Sequence, residues 1–238
     1  MGNILASEFL KLRRKMVWFL VVIGPTGVIA LQALNYGLRF DFLMKQYASD
    51  PWGYLMINVS NLLVPALLMG MTIISSMIAS LEHQTNAWKQ TVALPVGRTR
   101  LYLGKFGVTA LLLLGSTTLA MVGTILLGLL LGHELEALPW KSLLIAMYGS
   151  FLSALPYLAV QVWLSVAISN QAVPLTIGIA GLVVSIFVLN GPSSLDWLPW
   201  KWPFLVRAEP MYSMVAGLLT GAVFYLLGTI HFVRKDVG

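Results

Sequence analysis

The sequence predicts an all-α integral membrane protein with six transmembrane helices, on the evidence of its composition and the distribution of its charged residues. Of its 238 residues, 58% are hydrophobic and 10% are charged, whereas soluble domains carry about 25% charged residues. A helix needs roughly 20 mostly apolar residues to cross a bilayer. Runs of that length without Asp, Glu, Lys or Arg occupy residues 16–38, 52–80, 106–131, 143–169, 172–190 and 210–232. We expect residues 1–238 to form a single transmembrane domain.

The segment of residues 1–15 is predicted to form an N-terminal interfacial helix. Its apolar residues recur at helical spacing on one side, and its charged residues lie on another. The apolar set is Ile4, Leu5, Phe9 and Leu12, and the charged set is Glu8, Lys11 and Lys15. A helix of this type lies along the membrane surface with its basic side toward anionic headgroups. The alternative is an ordinary positively charged flank of the first span.

Polar residues of the second span fall within roughly 60° of one helical face at 100° per residue. They are Asn58, Asn61, Thr72 and Ser76, with Pro65 on the same face. Polar side chains in a span usually face protein or a water-filled cavity. One interpretation is a wall of a transport pathway, to which Gln161 of the fourth span adds a candidate. The other is simple hydrogen bonding between helices.

Residues 81–105 form the longest polar segment between two spans. The polar positions of its first part follow i, i+3, i+4, i+7 spacing, which predicts a short amphipathic helix at the membrane surface. They are Glu82, Thr85, Asn86 and Lys89, opposite Leu81, Trp88 and Val92. Pro95 and Gly97 then break the helix, and Arg98 and Arg100 lead into the third span. The alternative is a solvated loop with basic topology signals.

Small residues and prolines predict how the remaining spans pack. The third span repeats small residues at every fourth position, and the sixth has a Gly-x-x-x-Gly motif, both typical of close-packing faces. The residues are Ser116, Ala120, Thr124, Gly128 and Gly132, and Gly217 and Gly221. Pro25 and Pro156 are expected to kink the first and fourth spans.

The segment of residues 191–209 is rich in Trp and Pro. Trp197, Trp200 and Trp202 lie among three prolines, and Trp side chains favour the headgroup level of a membrane. The prolines forbid a regular helix across the segment. We expect a half-inserted or surface-lying segment, anchored by its aromatic rings or in contact with an amphipathic substrate.

The distribution of basic residues predicts the orientation. Ten of the 15 Lys and Arg residues lie in residues 1–15, 81–105 and 233–238, which share one side if the six spans alternate. Because basic residues are enriched in cytoplasmic loops, both termini and residues 81–105 are predicted to be cytoplasmic, and residues 191–209 external.

The predicted spans hold no charged residue, which argues against ion-driven transport and against intramembrane catalysis. The sequence also lacks the G-x-x-x-x-G-K-[ST] motif that binds nucleotide phosphates. We therefore expect a transporter subunit that is not an enzyme, has no cofactor or metal of its own, does not bind nucleic acid, and needs an external motor. Two alternatives are a non-transporting membrane scaffold or sensor, and a membrane hydrolase that brings a Ser beside His133.

The whole chain resembles the permease subunits of ABC-2 type ATP-binding-cassette transporters, and particularly the small six-span permeases of bacterial lantibiotic-immunity and bacitracin-export systems. The resemblance rests on the basic N-terminal segment, the six spans and a motif after the second span. The motif residues are Glu82, Trp88, Lys89, Gln90, Leu94, Pro95, Val96, Arg98, Tyr102, Leu103 and Lys105.

The resemblance implies a type V exporter-like fold in a bacterial plasma membrane. It further implies export of an antimicrobial peptide for self-immunity or resistance, or else of another amphipathic drug or lipid-like compound. The implied partners are two copies of an ATPase subunit, which would hold ATP and Mg, and a second permease copy or a sister permease. Residues 81–105 would contain the coupling helix that contacts the ATPase. The coupling candidates are Glu82, Thr85, Trp88, Lys89, Pro95 and Arg98.

Overall fold

The computed structural model describes residues 2–13, 15–84, 97–189 and 191–234. Within these ranges the chain is helical without strands, and six helices are long and apolar enough to cross a membrane. The predicted all-α fold class is confirmed. The spans are Val17–Leu38, Pro51–Leu81, Arg98–Leu130, Trp140–Ala167, Ala172–Leu189 and Pro210–Arg234.

The fourth span is built from three α-helices and a π-helical turn, and short helices lie outside the spans. In chain order the α-helices of the described residues are α1 (Gly2–Lys11), α2 (Val17–Leu38), α3 (Phe40–Gln46), α4 (Pro51–Gln84), α5 (Arg98–Leu130), α6 (Trp140–Leu144), α7 (Ser150–Ser153), α8 (Leu155–Ala167), α9 (Ala172–Leu189), α10 (Trp202–Leu205) and α11 (Pro210–Arg234).

Two hydrogen bonds show which helix ends share a side of the bundle. Arg98 Nη1 donates to the carbonyl oxygen of Val233 at 3.0 Å, which joins the start of α5 to the end of α11. Trp52 Nε1 donates to the carbonyl oxygen of Glu134 at 2.9 Å, which joins the start of α4 to the loop after α5. We call the side with α1 and the start of α5 the N-terminal face. The side with α3 and residues 191–209 is the opposite face.

Helix α4 and the fourth span form the centre of the bundle. In the most apolar stretch of each span, 61% of the second and 67% of the fourth is buried, against 22% of the fifth. Helix α4 packs against α2, α5, α8 and α9, and its Leu68 and Met71 are fully buried. The polar side chains of α4 therefore have protein neighbours available on several sides.

The third span begins earlier than the sequence predicted. Helix α5 starts at Arg98 instead of residue 106, so Arg98, Arg100 and Lys105 are helical. Basic residues have high helix propensity, and the helix therefore continues beyond the apolar run into the polar segment. Lys105 lies directly before the predicted span, and its side chain is buried.

The N-terminal helix is shorter than predicted and packs on α5. It ends at Lys11 instead of residue 15, because a turn at Leu12 redirects the chain into α2. Leu12 is buried in the core, and the Phe9 and Trp18 rings stack with centroids 6.2 Å apart. Glu8, which the sequence groups with the charged side of this helix, is buried and faces α5.

The fourth span is interrupted where the sequence predicted a kink. A π-helical turn over Ile145–Gly149 precedes α7, and Ala154 separates α7 from α8. Pro156 occupies the second position of α8, where it has no N–H to offer to the carbonyl of Leu152. The other predicted kink site, Pro25, lies inside an uninterrupted α2.

Small residues make the predicted close contacts in the sixth span. A Cβ atom on Gly217 would lie 2.5 Å from Ser153 Cα, and one on Gly221 would lie 2.9 Å from Leu155 Cβ. In the third span Gly128 packs on the ring of Trp52.

Gly132 does not belong to a packing face. It has φ of +86° and follows the last turn of α5, and no atom lies within 4 Å of the position that its Cβ would take. The N–H of His133 donates to the carbonyl of Gly128 at 3.0 Å, which is the hydrogen bond of a Schellman C-cap. The packing interpretation of Gly132 is therefore corrected to helix termination, which requires a residue that tolerates positive φ.

Candidate functional site

The predicted coupling residues lie mainly at the limit of the described chain. Thr85, Trp88, Lys89 and Pro95 fall outside the described residues, and the Glu82 side chain at the end of α4 does as well. Arg98 is described. Its guanidinium reaches the carbonyl of Val233 at the C-terminal end of α11, where the helix dipole favours a positive charge.

A buried ion pair joins α1 to α5 at the end of residues 81–105. Glu8 Oε2 lies 3.5 Å from Lys105 Nζ, and the side chains are 5% and 2% exposed. Glu8 Oε1 also pairs with Lys11. Sequence reasoning missed this pair, although one signal was present: Glu8 is the only acidic residue among the first 15. The pair makes the position of α1 depend on the first turns of α5.

Three of the predicted pathway residues take part in three separate sets of hydrogen bonds around α9, which together we call the network. Thr72 Oγ1 lies 2.8 Å from Tyr157 OH, and Tyr157 OH donates to the carbonyl of Gly178. Gly178 lies directly against the Thr72 side chain, so only a residue without a side chain lets α9 approach α4 this closely. Thr72 therefore joins α4, α8 and α9.

Gln161 and Ser76 make the other two sets of bonds, nearer the start of α9. Gln161 Nε2 donates to the carbonyl of Pro174 at 2.7 Å, and Ser76 Oγ donates to Gln171 Oε1 at 2.9 Å. Gln171 Nε2 in turn donates to the carbonyls of Ser165 and Ile168. The cross-linking role of Gln171 was missed, because the sequence indicates only a short polar turn at this position.

Asn58 and Asn61 are not part of the network. Asn58 Nδ2 donates to Tyr36 OH at 3.3 Å and thereby contacts α2. Asn61 is exposed on α4, and its amide has no hydrogen-bond partner among the described residues. The predicted polar face therefore divides into a buried network toward one end of α4 and two asparagines nearer the opposite face.

A cavity of about 570 Å³ lies beside the network. Its walls come from α8, α9, α11 and residues 191–209. The lining residues are Pro156, Tyr157, Val160, Gln161, Ile177, Gly178, Ala180, Gly181, Val184, Trp197, Pro199, Trp200 and Phe224. The polar tips of Tyr157 and Gln161 are already hydrogen-bonded within the network. The cavity is therefore a predominantly apolar site of the volume common for small-molecule ligands.

Residues 191–209, which we call the roof segment, cover the cavity at the opposite face. As predicted, no regular helix crosses the segment, which contains a 3-10 turn at Ser193–Leu195 and the short α10. Lys201 Nζ is buried, donates to the carbonyls of Gly191 and Pro192 at 3.0 and 3.2 Å, and pairs with Asp196 at 2.6 Å. Trp197 stays exposed. One buried ammonium group thus ties both ends of the loop that carries Trp197 and Trp200.

The geometry gives the hydrolase alternative no catalytic arrangement at His133. Its Nε2 is buried and has no hydrogen-bond partner within the described part of the chain. The ring packs edge-on against Trp52 with centroids 5.4 Å apart. A serine nucleophile would have to be hydrogen-bonded to this nitrogen.

Acidification is expected to destabilise the protein through His133. Burial lowers the pKa of His133 below its ordinary value of 6.5, so the folded state favours the neutral ring while the unfolded chain binds a proton near pH 6.5. The resulting stability is complete above pH 6.5 and is lost as the pH falls through the lower folded-state pKa. Thermal unfolding between pH 5 and 8 should therefore show a shallower pH dependence for His133→Leu than for the wild type. Parallel curves for the two proteins would contradict this.

Comparison with known proteins agrees with this architecture. A family described as ABC-2 family transporter protein matches residues 4–185, a range that includes most of α1, the first four spans and most of the fifth. None of the curated proteins compared with the chain matches it.

Proposed function

The chain belongs to the ABC-2 family of transporter proteins and is a membrane-spanning permease subunit, and from this premise we propose that it exports amphipathic antimicrobial peptides. The proposed branch is that of lantibiotic immunity and bacitracin export. The observation that carries the substrate class is the 570 Å³ apolar cavity beneath the Trp-bearing roof segment. An amphipathic peptide that leaves a membrane can place apolar side chains in such a cavity. The Trp rings of the roof segment combine an apolar body with a polar N–H, which suits a ligand with both apolar side chains and a polar backbone.

The N-terminal face is proposed to be cytoplasmic. It holds ten of the 15 basic residues when residues 81–105 and both termini are counted together, and basic residues mark cytoplasmic loops. This orientation makes the roof segment external. It also places α1 at the inner interface, where the exposed side chains of Lys11 and Lys15 face anionic headgroups.

The ATPase is proposed to bind between α4 and α5. The segment between these helices contains the candidate ATPase contacts, which are assigned that role by resemblance to the family: Glu82, Thr85, Trp88, Lys89 and Pro95. Support comes from its flanks, because Arg98 connects the start of α5 to α11 and Lys105 connects it to α1. A displacement of the segment would thus act on two further helices at once. ATP and Mg would be bound by the ATPase, in two copies per transporter.

A second permease copy, or a sister permease, is proposed to cover the surface around Asn61. This asparagine is exposed on a spanning helix and has no hydrogen-bond partner among the described residues. An unsatisfied amide in hydrocarbon is costly, and polar side chains in spans usually face protein. A partner permease on this surface would supply the missing contact.

The coupling proposal predicts loss of the ATPase from a double variant. Glu82→Ala with Trp88→Ala should reduce the ATPase that copurifies with the permease at least tenfold, because the segment would lose its charged and its aromatic anchor together. The matched control is Glu136→Ala with Trp140→Ala, the same residue types in the loop and helix start of the opposite face, which should leave copurification unchanged. The measurement is the ratio of ATPase to permease after affinity purification.

Protection of cells tests the substrate class. Cells that produce the permease with its ATPase should tolerate higher concentrations of nisin or bacitracin, and the Glu82/Trp88 double variant should remove that tolerance. If the double variant kept both its ATPase and full protection, the coupling proposal would be wrong. If the intact transporter instead protected only against small amphipathic drugs, the peptide assignment would be replaced by the drug alternative.

A further inference from the structure

The roof segment and α9 enclose a site whose ligand can be inferred from the wall chemistry. Building on the proposed export function, we propose that the cavity binds one or two bulky apolar side chains of the exported peptide, and that Lys201 is the positioning residue that holds the roof in place. The ligand class is thus the apolar side of an amphipathic peptide. A lipid acyl chain is the competing occupant.

The walls select an apolar ligand because they present few polar groups, two of which already donate hydrogen bonds within the protein. Tyr157 OH donates to the carbonyl of Gly178, and Gln161 Nε2 donates to the carbonyl of Pro174. The other wall positions of α8, α9 and α11 are aliphatic, glycine, proline or Phe224. A charged or strongly polar ligand would lose its hydration in this cavity without a compensating partner.

Trp200 supplies one polar group, its indole N–H, on the roof side of the cavity. Its Nε1 lies close to Gly181, where a Cβ atom would come within 3.0 Å, and within the described chain this N–H has no acceptor. The residue is 38% exposed, so this N–H is accessible to a ligand in the cavity. A peptide carbonyl adjacent to the inserted side chain is a suitable acceptor.

The depth of the cavity favours side chains over an acyl chain. On α9 the lining residues run from Ile177 to Val184, which is roughly 10 Å at about 1.5 Å per residue. One leaflet of the hydrocarbon core is about 15 Å deep, half of about 30 Å. The site is thus shorter than a leaflet, is lined by Trp200 on the side of the opposite face, and has a volume sufficient for two bulky side chains.

Lys201 connects the roof to this site. The residue is only 4% exposed, and its ammonium group binds the carbonyls of Gly191 and Pro192 together with Asp196. These contacts close the loop of residues 191–201, which contains the three roof residues of the cavity, Trp197, Pro199 and Trp200. Without the ammonium group the loop would lose these three contacts, which fix its position over α9.

Filling the cavity should weaken peptide binding. We expect Val184→Trp to raise at least tenfold the peptide concentration that gives half-maximal stimulation of ATP hydrolysis. The matched control is Val183→Trp, because Val183 is similarly exposed and does not line the cavity. The assay uses the permease–ATPase complex in lipid nanodiscs, with nisin and bacitracin as probes.

Substitutions at Trp200 and Lys201 test the proposed binding site without filling the cavity. Trp200→Ala and Lys201→Met should both raise the half-maximal peptide concentration, and Lys201→Arg should restore it in part because a guanidinium can also donate to two carbonyls. A purely structural role would lower the maximal rate and the amount of folded complex instead. That outcome for Lys201→Met, without a change in half-maximal concentration, would overturn the positioning role.

Photolabelling distinguishes a peptide bound in the cavity from a lipid bound there. A nisin analogue with a benzoylphenylalanine in place of an apolar residue should label α9 between Ile177 and Val184 in the wild type and not in Val184→Trp. Labelling of the same residues by a photoreactive phospholipid that the peptide does not displace would overturn the proposal in favour of an acyl chain.

If the wild type protects cells and Val184→Trp protects equally, the cavity assignment is wrong and the export function stands. If the wild type gives neither protection nor labelling, the export function is wrong as well.

Discussion

Replacing Glu8 by Gln is expected to lower the free energy of unfolding by about 3 kcal/mol, the lower end of the cost of breaking a buried ion pair. The carboxylate faces Lys105 and Lys11 at once, and Lys105 is only 2% exposed. Removing the negative charge takes away the carboxylate that faces this buried ammonium group at 3.5 Å. The measurement is thermal or denaturant unfolding of the purified protein, combined with the rate at which protease cleaves residues 12–16.

A double-mutant cycle distinguishes the pair from a general effect at either position. Lys105→Met combined with Glu8→Gln should be less destabilised than the sum of the single variants, with a coupling energy of about 0.5–3 kcal/mol. Asp41→Asn serves as the control, because Asp41 is an exposed carboxylate on the opposite face and should change stability by no more than about 0.5 kcal/mol. Strict additivity of the two single variants would show that the ion pair contributes nothing.

Replacing Gly217 by Leu is expected to destabilise the protein by about 3 kcal/mol and to detach α11 from the fourth span, because overpacking of a close contact costs about 1–3 kcal/mol or more. A Cβ atom at this position would meet Ser153 Cα at 2.5 Å and the carbonyl oxygen of Leu152 at 2.6 Å. Both are backbone atoms, so no rotamer change relieves the overlap. Unfolding in a mixed detergent titration measures the effect.

Gly115→Leu is the matched control for that experiment. Gly115 lies on the surface of α5, and no atom of another residue lies within 4 Å of the position that its Cβ would take. Because Leu has a higher helix propensity than Gly by up to about 1 kcal/mol, this variant should be neutral or slightly stabilised. Equal losses for Gly217→Leu and Gly115→Leu would contradict the assignment of Gly217 to a close helix contact.

The interrupted fourth span explains why this contact is so close. Pro156 deprives the Leu152 carbonyl of a helical N–H donor, and α7 gives way to α8 at Ala154. Gly217 of α11 lies directly against this carbonyl. Only a residue without a side chain lets the two helices approach this closely. The proline and the glycine therefore act together, although 61 positions separate them in the sequence.

Local signals in the sequence are sufficient to locate the transmembrane spans but not to predict the residues at which their helices begin and end. The first span is predicted within one residue, because its apolar run is bounded by Lys15 and Arg39. The third span begins eight residues before its apolar run, at Arg98. Hydrophobicity locates the part of a helix that lies in lipid, whereas hydrogen bonds continue a helix through any residue of adequate propensity.

The candidate site could be predicted only in part for a related reason. Thr72, Ser76 and Gln161 are recognisable as polar groups in apolar helices, and they do meet around α9. Asn61 satisfies the same criterion and is exposed. A helical face of roughly 60° is wide enough to contact different neighbours along its length, so angular position alone does not identify the neighbour at each level.

By itself the sequence determined the all-α class, the six spans and the break at the fourth span, because apolar length and proline geometry act within one helix. Only the tertiary structure decided that Glu8 meets Lys105, that Tyr157 meets Thr72, and that Lys201 closes the roof over an apolar cavity. These contacts join residues on different elements, and their existence depends on how helices pack against one another. Packing is set by the summed shape of many side chains, which no single stretch of the sequence contains.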